Sequence, residues 1–403
     1  MEDSNFENYD VCVVGASIAG NYLTYLLAKS NLQIVVIEEH EDIGLPFQCA
    51  GIISQKLGQL IKLPEEIVLN RVNTAKIFSP LGNFIKLSGN EHPYVIDRIA
   101  LDRLFYGKNK KATNVTYYLG EKFKSLKYSV ENGQKCVLID TSKRSIKAKM
   151  LIGCDGPLTS VGKHLKVKNE VLYAAQIRIK GKFHENEAVM YFHPLWKQLF
   201  GWIVPEGKNI YRIGIASSKN VKEYFQIFLK KLGIDINNKI DQQGGIIPYG
   251  IMNKSAFMNV LLLGDAAGQV KATTGGGIVM LLTAARHASN CVKLSFEQNN
   301  FSKRFIKKHY ENPCLRTIGK ELKLHYVIRL ILEKLTSKEF EIFFKIIKEN
   351  KIEHIISLYG DMDFPKDLIF KLLKNRSVIT FLIKFSVKNP NIFIKLLKIL
   401  TTK

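Results

Sequence analysis

At 403 residues the chain is long enough for two or three domains and for burying both a cofactor and a substrate. Its six cysteines, at positions 12, 49, 136, 154, 291 and 314, form no C-x-x-C pair. Neither a zinc site nor a disulfide framework is expected, and the pattern suits a reducing cytoplasm.

The acidic, polar opening MEDSNFENYD leads us to expect no signal peptide, and no run of about 20 uncharged apolar residues is available to span a bilayer. Val11 to Val14 then form a continuous β-branched and apolar run, as a strand buried on both faces should. Gly15 allows a tight turn, and Ile18, Tyr22, Leu23 and Leu26 recur at helical spacing. Gly15 and Gly20 stand where the first and third glycines of G-x-G-x-x-G belong, while Ser17 holds the middle place. Serine is the smallest polar replacement, and its hydroxyl can donate to a phosphate. A second strand, LQIVVIE, ends in Glu38, about 20 residues past the motif, where a carboxylate can bind a ribose hydroxyl. Taken alone, the degraded motif also suits an ordinary strand–helix turn. Strand, helix and terminal glutamate in order favour a dinucleotide site.

Further along, YVIDRIALDRLF sets Arg98 and Asp102 at helical spacing. KMLIGCDGPLTSVGKHL reads as a strand ending at Asp155-Gly156, a turn, and a helix opened by Ser160. From about 166 to 254, short β-rich runs such as YAAQIRIKGKF, EAVMYFHP and NIYRIGIAS predict an antiparallel sheet, and QQGGIIPYG returns the chain to the first domain. His193, in YFHPLW, reads as an ordinary polar residue rather than an acid. Val260 to Leu263 predict a buried strand ending in Gly264-Asp265, followed by three glycines, Gly275 to Gly277, and an apolar helix. Adjacent glycines before a helix expose its unpaired N–H groups and permit close approach of a flat ligand.

From about residue 311 the chain changes to short, basic, amphipathic helical segments: ELKLHYVIRLILEKL, FEIFFKIIKEN, DLIFKLLKN and NIFIKLLKIL, punctuated by Pro365 and Pro390. They suit a helical cap on the core, a membrane-surface anchor, or both. The net charge of +23 comes mainly from lysine, since only 11 of the 59 basic residues are arginine. Coding bias explains such a balance as readily as an acidic partner or an anionic membrane does. There is no recognised nucleic-acid module, so nucleic acid is not an expected partner.

The opening turn, Asp155-Gly156 and Gly264-Asp265 occur in the order seen in flavoproteins of the glutathione-reductase-like FAD fold, which the chain resembles. More narrowly, it resembles the geranylgeranyl reductase family, which includes archaeal digeranylgeranylglycerophospholipid reductases. GLPFQCAGIIS, from Gly44 to Ser54, looks like that family's P-x-x-C-A-G segment. GQVKATTGGGI, from Gly268 to Ile278, is similar to its K-P-T-T-G-G-G-I loop, with Ala272 in place of proline. LFGWIVPEG resembles its Y-x-W-x-F-P substrate motif, with Phe200 for the tyrosine, Val204 for the phenylalanine, and Trp202 and Pro205 kept.

The resemblance implies an α/β chain in three parts. A discontinuous FAD-binding Rossmann domain takes residues 8–75, 96–165 and 255–310. An inserted antiparallel β substrate domain takes 76–95 and 166–254, and a helical C-terminal region takes 311–403. FAD would meet Gly15, Ser17, Ile18, Ala19 and Gly20 at the pyrophosphate, and Glu38 and Glu39 at the adenosine ribose. Cys49, Ala50 and Arg98 would lie toward the flavin. Asp155, Gly264 and Asp265 would flank the ribityl chain or pyrophosphate, and Gly276, Gly277 and Ile278 the flavin pyrimidine end. Phe200, Trp202, Val204 and Pro205 would line the substrate, and Cys49 is the candidate catalytic thiol, either a proton donor or a group that tunes the ring. No metal is expected.

The reaction implied is FAD-dependent reduction of isolated C=C bonds in geranylgeranyl chains of a glycerophospholipid or a related prenyl compound. Electrons would come from ferredoxin or NAD(P)H, and the expected location is cytoplasmic, with peripheral contact on the inner face of the cell membrane. Two rivals stay open at this point: a flavin monooxygenase or halogenase on the same fold, and a non-enzymatic basic membrane- or nucleic-acid-binding protein. The halogenase form would want W-x-W-x-I-P, where this chain has Phe200 and Val204.

Overall fold

The computed structural model describes residues 6–89, 91–131, 133–392, 394 and 398. The first sheet is built around β1 (Glu7–Val14), whose last four residues are all buried. Beside it lie β2 (Ile34–Ile37), β8 (Val115–Tyr118), β9 (Phe123–Glu131), β10 (Gln134–Thr141), β11 (Ser145–Gly153) and β17 (Val260–Leu262). The order is β8-β2-β1-β11-β10-β9, with β17 beside the second half of β11. β1 runs parallel to β2 and β11, while β9, β10 and β11 form an antiparallel meander. Buried on both faces, β1 needs the unbroken apolar run its sequence carries. Helices α1 (Ile18–Leu27), α3 (Arg98–Asn109) and α6 (Ile278–Glu297) share one core with β1 and β2, while the short α2 (Leu57–Leu60) packs on α6 and α4 (Ser160–His164) on β9.

A second sheet holds β5 (Thr74–Phe78), β6 (Phe84–Ser88), β12 (Glu170–Lys180), β13 (Glu187–Tyr191), β14 (Gly201–Gly207), β15 (Ile210–Ser217) and β16 (Lys239–Tyr249). Its order is β16-β12-β15-β14-β13-β5-β6. The antiparallel expectation needs one correction, because β5 and β13 pair in parallel. The two strands are far apart in sequence, so no hairpin fixes their relative direction. A small sheet of β3 (Ile52–Ile53), β7 (Tyr94–Ile96) and β4 (Val68–Arg71) joins the two.

The two faces of the second sheet have different neighbours. Tyr211, Ile213 and Ile215 pack with Trp196 and with Phe225 and Phe228 of α5 (Val221–Lys231). Trp202, Val204 and Ala216 point the other way, with Ala50 and Ile247 against them. Beyond them, Ile77 and Ile85 of the outer strands are roofed by the C-terminal helices. That region begins with α7 (Lys303–Ile306), α8 (Asn312–Cys314) and α9 (Lys320–Lys334), joined by π-helical turns. It continues through α10 (Ser337–Glu349), α11 (Ile352–Tyr359), α12 (Lys366–Leu372) and α13 (Arg376–Lys388). A reciprocal capping box between Thr336 and Glu339 starts α10. The last predicted segment, NIFIKLLKIL, lies largely outside the described residues. Among the described residues, no helix is long and apolar enough to cross a membrane.

Candidate functional site

The opening turn is set by close backbone packing. Gly15 has φ +100°, and a Cβ there would stand 2.4 Å from the Cys154 carbonyl oxygen. At Gly20 a Cβ would stand 1.9 Å from the Gly15 carbonyl oxygen, so α1 sits on the strand as only glycine permits. Ser17 is the N-cap of α1 and makes no capping bond with its side chain. Its hydroxyl instead accepts from the Arg98 guanidinium at 3.0 Å. Ile18 and Ala19 are buried behind it. Glu38, just past β2, accepts from the Ala16 N–H at 2.7 Å, so its carboxylate is aimed at the mouth of the turn. Glu39 does not join it: its carboxylate pairs with Lys122 on the surface at 2.8 Å, because successive residues leaving a strand point to opposite sides.

Arg98 reaches across from the start of α3 to pair with Asp102 at 2.5 Å, one helical turn on. Its charge also acts on Asp265, whose pKa burial pushes up to about 6 while Arg98 pulls it down. Among the described residues the Asp265 carboxylate accepts no hydrogen bond, and it lies 3.5 Å from where a Gly277 Cβ would stand. Gly264, at φ +70°, lies against Ala19 of α1, so the second glycine–aspartate turn meets the first. Asp155 has another task. Its carboxylate accepts from the Thr159 hydroxyl and the Val161 N–H, closing the turn into α4, and so is occupied locally.

The glycine loop stands against the second sheet. A Cβ on Gly275 would meet Ile247 at 3.3 Å and Leu199 at 3.7 Å, and Gly277 caps α6 ahead of Ile278 without a side chain of its own. Gly276 donates to the Thr274 hydroxyl at 3.3 Å. Cys49 is half-buried, and its Sγ accepts from the Gly51 N–H at 3.3 Å. A hydrogen-bonded chain connects this segment to the aromatic motif: the Trp202 indole donates to Gln176 at 2.8 Å, and Gln176 donates to the Cys49 carbonyl at 3.3 Å. Phe200 lies edge-to-face with Trp202, and Val204 is buried beside them. Pro205 contributes through its carbonyl, which accepts from Asn70. An open cleft of about 1050 Å³ borders Gln48 and Ile99, the neighbours of Cys49 and Arg98, and reaches the β16 edge at Gly244 to Ile246. His193 stacks on Trp196, away from Trp202, and burial lowers its pKa.

Sequence reasoning missed the residues that hold these parts together. Arg329 of α9 is fully buried and donates to Ala272 and Thr273 of the glycine loop, at 3.1 and 2.6 Å, and to Leu199 at 3.3 Å. All its acceptors here are carbonyls, and burial pulls its pKa down to about 9, so it stays charged at neutral pH. His325, one turn earlier, bonds the Asp363 carbonyl through Nε2 and Thr273 through Nδ1. A carbonyl only accepts, so Nε2 carries the proton and Nδ1 accepts from the threonine. Burial and the Lys271 charge hold that imidazole at about 4, hence neutral. Lys271 itself pairs with Asp363 at 2.5 Å in the interior. The one signal for this clamp in the sequence is an arginine and a histidine four residues apart in an otherwise apolar helical pattern. Arg212 does similar work from the sheet, donating to the Ala50 carbonyl at 2.9 Å and pairing with Glu206.

Fold and site together define an α/β protein with a Rossmann-like domain and a second sheet laid over the glycine loop. Residues 13–50 match the NAD(P)-binding Rossmann-like domain family. Within that class the chain resembles the geranylgeranyl reductases along most of its length. It is 28% identical over 387 residues to digeranylgeranylglycerophospholipid reductase 1 of Methanococcoides burtonii, covering 90% of each chain. It is 27% identical over 393 residues to the uncharacterized protein MJ1520 of Methanocaldococcus jannaschii, covering 93% of this chain and 97% of that one. A geranylgeranyl bacteriochlorophyll reductase-like protein from Thermoplasma acidophilum superposes with TM-score 0.77 at 21% identity, over 98% of this chain and all of the other. The halogenase PltM, solved with phloroglucinol and FAD, shares the fold with TM-score 0.61 at 13% identity, over 91% of this chain and 86% of that one.

Proposed function

We propose that the protein is an FAD-dependent enzyme that reduces isolated C=C bonds in geranylgeranyl chains carried on a glycerophospholipid. One observation carries the reading: the glycine loop, the Cys49-Ala50-Gly51 segment and the aromatic face of the second sheet converge at one place. The residues present fit the cofactor. The turn before α1 offers the positive end of that helix and the Ser17 hydroxyl to a pyrophosphate, and the Glu38 carboxylate at the mouth of the turn suits ribose hydroxyls. Asp265, an acid left without a donor, suits a hydroxylated ribityl chain. Gly276 and Gly277 give a flat ring access to backbone N–H groups at the start of α6.

Reduced FAD, when bound, supplies a hydride equivalent, and a proton must reach the other alkene carbon. Everything else falls to the chain. An isolated alkene has no carbonyl to receive the electron pair an added hydride would leave, so proton transfer must lead, and positive character develops on the carbon that the hydride then fills. Trp202 and Phe200 present aromatic faces that stabilise such charge, and the surrounding apolar wall excludes water. Cys49 is the proposed proton source, held at the edge of that wall by the Gly51 N–H. The indole bond to Gln176 fixes the plane of Trp202 against Gly214, where a Cβ would come within 2.4 Å of the ring.

The same reading seats the C-terminal helices on an anionic membrane. Phe370, Leu373, Ile383 and Val387 are exposed on α12, α13 and the turn between them, with Lys371, Lys374 and Lys384 interleaved.

The test is anaerobic. The purified, FAD-loaded protein is reduced with dithionite and given digeranylgeranylglyceryl phospholipid, and flavin absorbance and lipid mass are followed together. Reoxidation with stepwise gain of hydrogen pairs is expected. Reoxidation only on admitting oxygen, with lipid mass unchanged, would refute the reductase reading.

A further inference from the structure

An apolar cavity of about 190 Å³ lies between the outer strands of the second sheet and the C-terminal helices. Ile77 and Ile85 form its floor, Phe340, Phe344 and Ile352 its roof, and Phe192 stands at one side. All of its wall residues are apolar, and no polar group among them gives a water anything to bond. Native interiors keep few voids of this size, since an empty one forfeits dispersion contacts. An engineered apolar cavity of about 150 Å³ stays dry and binds benzene, a ligand close in size to one isoprene unit.

The cavity also continues the site already described. Trp202 pairs with Met190 across β14 and β13, Met190 with Ile77 across β13 and β5, and Ile77 with Ile85 across β5 and β6. Cross-strand partners share a face, so these four side chains form one apolar row. The row spans three strand spacings, about 14 Å. With C–C bonds of about 1.5 Å, an extended isoprene unit reaches roughly 5 Å, so three units bridge Trp202 and the cavity. Phe192 stands on both sides of the divide: it lies edge-to-face with Phe200, at 6.2 Å, and stacks obliquely on Phe340 of α10, at 5.1 Å.

We propose that this cavity is an end pocket for the distal part of a linear hydrocarbon chain whose reacting double bond lies at Trp202, with Phe192 as the threshold. The inference rests on the polyprenyl reading of the site and adds to it a determinant of chain length. The C-terminal helices are then part of the substrate site as well as a cover.

The test compares glycerophospholipids carrying two C20 or two C10 prenyl chains, with binding to the FAD-loaded protein read by tryptophan fluorescence. The wild-type protein is expected to bind the C20 lipid at least about tenfold more tightly, because the extra units are buried. Ile85→Phe on the floor and Ile352→Phe on the roof should each erase that preference and leave C10 binding within about twofold. A C20 preference that survives both variants overturns the end pocket and leaves the proposed function standing. Failure of the wild-type protein to bind either lipid overturns the polyprenyl reading, and the inference with it. If a filling variant does not fold, a C20 lipid with a terminal diazirine is photolysed in the wild-type protein. Labelling on β6, α10 or α11 supports the pocket, and labelling confined to other segments overturns it.

Discussion

The two halves of one sheet face are held in opposite ways. On the inner half, polar groups make the contacts: Arg212 to the Ala50 carbonyl, Gln176 to the Cys49 carbonyl, and Arg329 to the glycine loop and Leu199. On the outer half, Ile77, Ile85 and Leu87 meet Phe340, Phe344 and Ile352 through hydrocarbon, and hydrogen bonds to Glu341 and Ser357 are made at the exposed edge, from Leu81, Asn83 and Ser88. Hydrogen bonds are directional, so the inner half fixes distances between segments to within a few tenths of an ångström. Apolar contact has no direction, so the outer half keeps water out while tolerating a void. A site that must position a ring at one end and accept a flexible chain at the other has use for both.

The largest effect expected on this contrast comes from Gly20→Ala. Its Cβ would meet the Gly15 carbonyl oxygen at 1.9 Å, and neither strand nor helix can retreat. More than about 4 kcal/mol should be lost, together with FAD uptake, in urea unfolding and flavin titration. A variant that unfolds like the wild type would mean that the turn is not close-packed. Next comes Arg329→Met, which leaves buried carbonyls of Ala272, Thr273 and Leu199 without a donor. At about 1–3 kcal/mol for each group left unsatisfied, and with partial relaxation, roughly 3 kcal/mol should disappear. Arg329→Lys should recover only part, since an ammonium cannot fork to both segments. A loss below about 1 kcal/mol would show that the clamp does not hold the loop.

Asp265 gives a pH signature. Burial raises its pKa from 3.8 to about 6 in the folded chain, so the folded form binds the proton more tightly than the unfolded form does. Stability is therefore highest below pH 3.8 as far as this group is concerned, falls between 3.8 and 6, and stays low above. Relative to Asp265→Asn, the cofactor-free wild type should lose about 2 kcal/mol between pH 4 and pH 7. Parallel pH profiles for the two proteins would remove Asp265 as a strained acid. The smallest effect belongs to the outer surface. Lys374→Gln with Lys384→Gln should weaken binding to anionic vesicles roughly thirtyfold, at about 1 kcal/mol for each lysine, and added salt should weaken binding of the wild type. Salt-insensitive binding, or none, would remove the membrane seat.

These sites differed in how far the chain's own pattern disclosed them. The strand–glycine–helix turn was legible because its causes are local: an apolar run for a doubly buried strand, Gly15 for a positive φ, and Gly20 for close packing. Gly264-Asp265 and the three glycines before α6 were legible for the same reason. Trp202 and Cys49 were found through resemblance, and the hydrogen-bonded chain through Gln176 that joins them was not, since Cys49 and Gln176 lie 127 residues apart. Glu38 and Glu39 look alike in sequence, both acidic and adjacent, and only the direction each side chain takes on leaving the strand separates them.

Local pattern alone specifies the strand–glycine–helix domain, the succession of β-rich and helical stretches, and the amphipathic character of the tail. Period and turn chemistry act over a few residues and are written there. Only tertiary packing sets which residues of the tail meet the glycine loop, that β5 runs parallel to β13, and that an apolar cavity lies at the end of the row running from Trp202 to Ile85. Those outcomes depend on which surfaces remain to be covered once the local elements exist. Arg329 can enter the interior only where backbone carbonyls from two distant segments are already turned to receive it.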